Sequence, residues 1–484
     1  MTRFIVLLLS LVTLVFLPAM QCGALTAPIV YVAGDGSGDY NCDGTADQVE
    51  INEALKFVKD NSEYTTVYLK GPFTYDIADT VNIGSDTILT GDDTVVILSS
   101  TQKDIINGIA NSKNITIQGF TIDGNFMGGS GINLSSAWRN ANINNMNIDN
   151  IGNSGSRKYG IVIAGSGSKD LANIKIYNNK FTECTFDSID MSNVTGVEIY
   201  GNNILAGLTA YPTGMRFYQV NNLIIHDNVI RMQAAGYPAL QIYNYLQNNV
   251  TLDNIEIYNN EFVDIRGAGV LVFAGRNDGK TNDKSLATGL HIHHNVFRNT
   301  GTHASTTQAG GIVLSGFDGS IIEHNVFDGC RGVAVTAFAI SAYIAPPQPE
   351  PYVTYVRNNI FVNGVAHNSV GAGHAISNRL TDTHIFVIDN NCVYNNASDD
   401  YVDVTPNSEI NADPLFADPA NFDYHLKSKT GRWNGFTWVV DGEHSPCIDA
   451  GYPDSDFENE PAPNGNLVNI GLYGNTEYAS KSAQ

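Results

Sequence analysis

The sequence predicts an all-β chain wound into a single right-handed parallel β-helix of about 10–12 coils, with an N-terminal capping helix and an irregular C-terminal cap. Three observations lead there. A phrase of the form apolar-x-x-Asn-x-apolar recurs through residues 115–393. A second phrase, small-apolar-x-apolar-x, accompanies it once per coil, and from about residue 411 onward the chain leaves the repeat.

The first phrase reads IKIYNNKF, VEIYGNNI, LIIHDNVI, IEIYNNEF, LHIHHNVF, SIIEHNVF, TYVRNNIF and FVIDNNCV, with Asn at 179, 202, 228, 260, 295, 325, 359 and 391. Two earlier coils fit with Phe120 and Met146 in the Asn slot. Repeats of this length mean stacked units, and β-branched alternation punctuated by Asn and Gly means strands. Leucine-rich repeats would show a leucine framework, and propeller blades a longer period. Coils then stack about 4.8 Å apart, with the Asn side chains in an internal ladder at a bend that tolerates the left-handed conformation.

Strand alternation sends the apolar letters of the second phrase inward and the x letters outward. Its first outward column runs Asn133, Val162, Asp190, Arg216, Gln241, Leu271, Val313, Ala334; the second runs Ser135, Ala164, Ser192, Tyr218, Tyr243, Phe273, Ser315, Thr336. Most of these are small or aliphatic, but the middle coils place Asp190, Arg216 and Gln241 beside Tyr218, Tyr243 and Phe273. The longest insertions, AGRNDGKTNDKSLATG and AISAYIAPPQPEPY, follow strands of this same face. Long loops beside a flat face make groove walls, and loops of that length usually carry function. A polar and aromatic floor between them suits an extended polysaccharide.

Two chemistries fit the floor. Elimination at a uronate needs a cation and a base, for which Arg216, Tyr218, Tyr243 and Lys158 are placed. Hydrolysis needs two carboxyl groups across the bond, for which Asp187 and Asp190, with Asp278, are placed. The sequence leaves both open, and neither requires a cofactor. The catalytic candidates are Asp190, Arg216, Tyr218 and Asp187; the substrate-binding candidates are Gln241, Tyr243, Phe273, Arg276, Lys158 and Arg157. Arg216→Ala and Asp190→Ala are expected to abolish activity without unfolding the chain. The competing reading is an exposed sheet face whose ion pair contributes little.

The 484 residues are 43% hydrophobic and 15% charged, with a formal charge of -23, which disfavours a duplex nucleic-acid partner. Residues 4–19 form an apolar run after Arg3, broken at Pro18 and followed by Gly23 and Ala24. A signal peptide over 1–24, and so a secreted or cell-surface protein, is the expectation; no second run has membrane length. Cys42, Cys184, Cys330, Cys392 and Cys447 then remain, an odd number, with Cys184 and Cys330 expected as buried free thiols. His226 and His293 share a column two coils apart with Tyr258 between, a surface ladder and not a metal site.

Ahead of the coils, residues 25–65 read as a strand and a helix; the coils occupy 66–410 and the cap 411–484, where Trp433 and Trp438 are expected to pack. Asp39, Asn41, Asp43, Gly44 and Glu50 match a calcium-loop pattern, with Asp47 inside it. An EF-hand needs a helix on both sides, and only the following segment, DQVEINEALKFV, reads as one. Asp47 is expected as its N-cap and Glu50 as the capping-box partner. That leaves Asp39, Asn41 and Asp43 foremost among candidates for a structural calcium ion.

The opening VYVAGDGSGDYNCDGTADQVEINEALKFV, the Asn-rich coils and the tail INADPLFADPANFDYHL…SPCIDAG…VNIGLYG together resemble the disaggregatase-related exported β-helix proteins of methanogenic archaea, within the pectin-lyase-like superfamily. Disaggregatases break down methanochondroitin, a uronate- and N-acetylgalactosamine-containing polymer. The resemblance therefore implies a polyanionic substrate, and a use for Arg216, Arg276, Arg157 and Lys158. It supplies no catalytic motif to match residue by residue, and the acidic pairs and GHG-type segment of pectin hydrolases do not appear. A non-catalytic envelope protein that binds glycan or displays a surface is the alternative.

Overall fold

The computed structural model describes residues 28–482, apart from 136–138, 154, 156, 166–170, 207–212, 234–235, 246–250, 276–283, 304–308, 339–349 and 370. The expected signal segment, Arg276 and Asp278 fall outside these. Three parallel sheets of 14, 13 and 12 strands form a right-handed β-helix. Each coil contributes one strand to each sheet, as Thr195–Tyr200, Asn203–Ala206 and Met215–Tyr218 do in turn. No helix among the described residues is long and apolar enough to cross a membrane.

The recurring Asn builds the corner between the first two sheets. The side chains of Asn179, Asn202, Asn228, Asn260, Asn295, Asn325, Asn359 and Asn391 are all buried. Each Oδ1 from Asn202 onward accepts the backbone N–H of the ladder Asn one coil earlier, at 2.9–3.1 Å. The left-handed residue is the one before the ladder Asn: Asn178, Gly201, Asp227, Asn259, His294, His324, Asn358 and Asn390 all have positive φ. Asn, Asp and His tolerate that region, and glycine enters it without steric cost. Beside the ladder, Phe262, Phe297, Phe327 and Phe361 stack at 4.7–4.8 Å between centroids.

The strand Ile29–Ala33 already belongs to the first sheet, pairing with Thr66–Leu69. Between them the helix Gln48–Asp60 buries Ile51, Ala54, Leu55 and Val58 over the first coils, while Val49 faces solvent. At the far end the last parallel strand is Glu409–Asn411, followed by small antiparallel hairpins. Trp433 and Trp438 pair across one of them, ring centroids 5.6 Å apart.

All five cysteines among the described residues are free and buried. Burial pushes the Cys184 and Cys330 thiols up to about 12, so neither supplies thiolate at neutral pH. Both are expected to resist alkylation by iodoacetamide in the native protein and to react once it is denatured, which peptide mass mapping reads directly.

Candidate functional site

The third sheet carries the two columns in the expected register. Asp190 pairs with Arg216, Arg216 with Gln241, and Gln241 with Leu271, while Ser192, Tyr218, Tyr243 and Phe273 align beside them. The register departs from expectation at the last coil, where Val313 pairs with Thr336 and not Ala334. A two-residue slip keeps every side chain on its face, so alternation alone could not reveal it.

Arg216 is the centre of the site. Its Nε lies 2.6 Å from Asp190 Oδ2 and its Nη2 2.9 Å from Asp187 Oδ2. The Nε contact is a directed hydrogen bond, whereas the Nη2 approach to Asp187 is off-axis and acts mainly through charge. Asp187 also accepts the Thr213 backbone N–H at Oδ1, 3.1 Å away. The Asp187 side chain is 1% exposed, against 15% for Asp190 and 20% for Arg216. Burial pushes Asp187 up to about 7 against the opposing pull of Arg216, and Asp190 is raised for the same first reason. Burial works against the arginine's charge, but the two carboxylates outweigh it and hold Arg216 cationic. The result is a coupled pair of carboxyls under one guanidinium, with a proton available near neutrality.

Aromatic rings surround this triad. The Phe186 ring lies 5.2 Å from the Arg216 guanidinium carbon and 5.3 Å from that of Arg157. Tyr159 packs edge-on against Phe186, and its hydroxyl accepts from Arg216 Nη2 at 3.4 Å. Sequence reasoning passed over Phe186 and Tyr159 because they stand just before the strand, outside the alternating columns. Their signal was an aromatic within two residues of the small residue, in the coil of Asp190 and in the coil before it.

On the other side Tyr218, Tyr243 and Phe273 form a row at 5.1 and 5.3 Å between centroids. Tyr218 and Tyr243 are part-buried, and burial raises both phenols. The Gln241 side chain is half-buried on the outer face of its strand. Phe273 is only 5% exposed, so it backs the row and offers no open ring face. Beyond it Leu271 and Val313 are also covered, with Phe338 packed against them. The open floor therefore ends at the coil of Gln241. Lys158 is held by Asp104 at 3.0 Å, a carboxylate that also takes Asn133 Nδ2 at 2.8 Å.

The calcium-pattern residues each serve a local turn. Asp39 accepts the Tyr31 N–H, Asn41 pairs with Gly38, and Asp43 accepts the Thr45 N–H, all at 2.9–3.0 Å. Asp47 stands at the N-cap position but makes no cap bond. Its buried carboxylate instead accepts the N–H groups of Gly44 and Asp76, so no capping box with Glu50 forms. Ligand atoms of Asp47 and Glu50 gather with Cys42, a group that includes neither Asp39 nor Asp43. Among the histidines, His226 and His293 lie on either side of Tyr258 in one stacked ladder, at 4.8 and 5.1 Å.

Residues 252–451 match the family described as "Disaggregatase related", and residues 104–283 match "Right handed beta helix region". The fold is therefore a right-handed parallel β-helix, and part of the chain is similar to the disaggregatase-related family. No curated protein matches it in sequence. Among solved structures it is similar to the Azotobacter vinelandii mannuronan C-5 epimerase AlgE6 A-module, at 15% identity and a TM-score of 0.53, covering 77% of this chain and 97% of that one. It is also similar to the tailspike protein gp49 of Acinetobacter baumannii bacteriophage Fri1, a capsular polysaccharide depolymerase. There the identity is 10% and the TM-score 0.47, over 83% of this chain and 68% of that one.

Proposed function

We propose that this is an exported carbohydrate-active β-helix protein that depolymerises an acidic, uronate-containing envelope or extracellular polysaccharide such as methanochondroitin. The observation that carries this reading is the Asp187–Arg216–Asp190 triad, open at Asp190 and bordered by Gln241, Tyr218 and Tyr243. The disaggregatase-related region and the likeness in fold to a mannuronan epimerase agree with it.

Both carboxyls contact one guanidinium, through Nε and Nη2, so they form one charged group with it and are not a separately placed acid and base. That arrangement favours elimination: Asp190 takes the proton beside the uronate carboxyl, the bond to the neighbouring sugar's oxygen breaks, and that oxygen takes a proton from water, while Asp187 and Arg216 set the basicity of Asp190. Tyr218 and Tyr243 serve as the platform for the sugar rings.

Incubation with uronate-containing polymers tests this. The expected result is rising ultraviolet absorbance from an unsaturated uronate, lost in Asp190→Asn. New reducing ends without that absorbance would indicate hydrolysis, and no product of either kind would favour a glycan-binding or structural surface protein. One observation favours this last reading: Arg216 is already charge-balanced by two carboxylates, as a purely structural triad would be.

A further inference from the structure

A second cluster lies on the outer face of the first sheet, away from the groove on the third. Glu256 on strand Ile255–Tyr258 and both His291 and His293 on strand Leu290–His293 point outward from neighbouring coils. One ligand atom from each lies within 4.8 Å of the other two. The two imidazole centroids are 4.1 Å apart, and His293 Nε2 is 3.2 Å from Glu256 Oε1.

The surrounding hydrogen bonds decide what these atoms present. The Gly474 carbonyl can only accept, so His294 donates to it through Nε2 at 2.9 Å. An uncharged His294 then holds a lone pair on Nδ1, which faces His293 Nδ1 at 2.7 Å, so His293 donates there. This leaves uncharged His293 with a bare Nε2 turned toward a carboxylate oxygen, two acceptors with no proton between them. His291 is fixed in the same way. Its Nε2 donates to Glu323 at 3.0 Å, and Glu323 is held as a carboxylate by Arg357 at 2.7 Å. In the tautomer that this bond selects, Nδ1 is the lone-pair nitrogen. Two imidazoles oriented by hydrogen bonds behind them, converging with a carboxylate, are the arrangement of a divalent metal site.

We propose that Glu256, His291 and His293 bind one divalent transition-metal ion of the zinc class, with His294 as a positioning residue. Two nitrogens and one oxygen suit a borderline ion and leave a fourth position for water. The bond from His294 to Gly474 ties the site to the C-terminal cap, so a bound ion stabilises that end of the solenoid.

The test uses the untagged full chain, stripped with chelator and then dialysed against zinc chloride. Wild type is expected to retain one zinc per chain by elemental analysis, and its thermal midpoint to rise with added zinc. Glu256→Gln is isosteric, and at 41% side-chain exposure Glu256 is not a core residue. This variant and His291→Ala are each expected to lose at least about 10-fold in zinc affinity and to show no zinc-dependent midpoint shift, with unchanged circular dichroism. His294→Gln is expected to weaken zinc about 10-fold, and cobalt loaded in its place to give an altered absorption spectrum. Absence of bound zinc in wild type overturns the proposal. So does equal retention by Glu256→Gln and His291→Ala, which would place the ion elsewhere, as at Cys42, Asp47 and Glu50.

Discussion

Asn260→Ala is expected to cost about 4 kcal/mol of stability, read as a large fall in the urea midpoint followed by far-ultraviolet circular dichroism. The figure follows from the groups left unpaired. Asn260 Oδ1 accepts from both the backbone N–H and the Nδ2 of Asn228, at 3.1 and 2.9 Å. Its own Nδ2 donates to the carbonyls of Ile225 and Tyr258 and to Asn295 Oδ1, at 2.9–3.0 Å. Alanine removes all of these inside a corner that water does not reach, and each buried orphan costs about 1–3 kcal/mol, partly offset by local relaxation. Asn254 provides the control. It belongs to a second ladder on the surface, donating to Asn222 Oδ1 at 2.9 Å, and has positive φ. Asn254→Gly keeps that conformation accessible and loses one exposed bond, so its expected cost is under about 1 kcal/mol. Equal effects at the two positions would mean that the ladder acts through shape alone and not through its buried bonds.

The same contrast explains what could be read from the sequence. The ladder was legible because each buried amide bonds the next, so Asn recurs from Asn179 to Asn391 once the ladder has begun, after the two coils that fill the slot with Phe120 and Met146. The outward columns were legible because a parallel register with period two fixes neighbours across coils. Asp190, Arg216 and Gln241 therefore came together as expected. Contacts made by residues outside the strands were not legible. Phe186 and Tyr159 reach Arg216 from the turns before their strands, and nothing in the alternation aims them there. Asp47 illustrates the same limit, since its spacing to Glu50 fits a capping box, yet its carboxylate is taken by Asp76 from the next coil. The metal-ligand group escaped notice for a related reason. A search for histidines in one column finds His226 and His293, which Tyr258 separates, while the nearby partners are His291 on the same strand and Glu256 diagonally across.

Arg216→Ala separates stability from chemistry at the groove. The sequence expectation was loss of activity in an intact fold, but Asp187 is 1% exposed and depends on this guanidinium for its counter-charge. Removing one partner of a buried ion pair costs about 3–5 kcal/mol, because the remaining charge is left uncompensated. The penalty has a defined pH dependence. Asp187 is raised from 3.8 to about 7 with Arg216 present, and losing the arginine raises it further. A carboxyl whose pKa is higher folded than unfolded favours folding while protonated, so its contribution is present below about pH 4 and lost as pH rises through the folded value. The difference between Arg216→Ala and wild type is therefore expected to be small near pH 4, and to widen through neutrality. Adding Asp187→Asn to Arg216→Ala removes the charge itself, and should recover about 2 kcal/mol at pH 8 and flatten the pH dependence. Polymer turnover should stay absent in the double variant, because Asp190 has lost the partner at 2.6 Å that holds and tunes it. Asp190→Asn, at a carboxyl 15% exposed, should lose turnover with a stability change within about 1 kcal/mol. If Arg216→Ala unfolds at the same urea midpoint as wild type at pH 8, Asp187 is not held as a buried charge and the coupled acid–base pair is the wrong description of this groove.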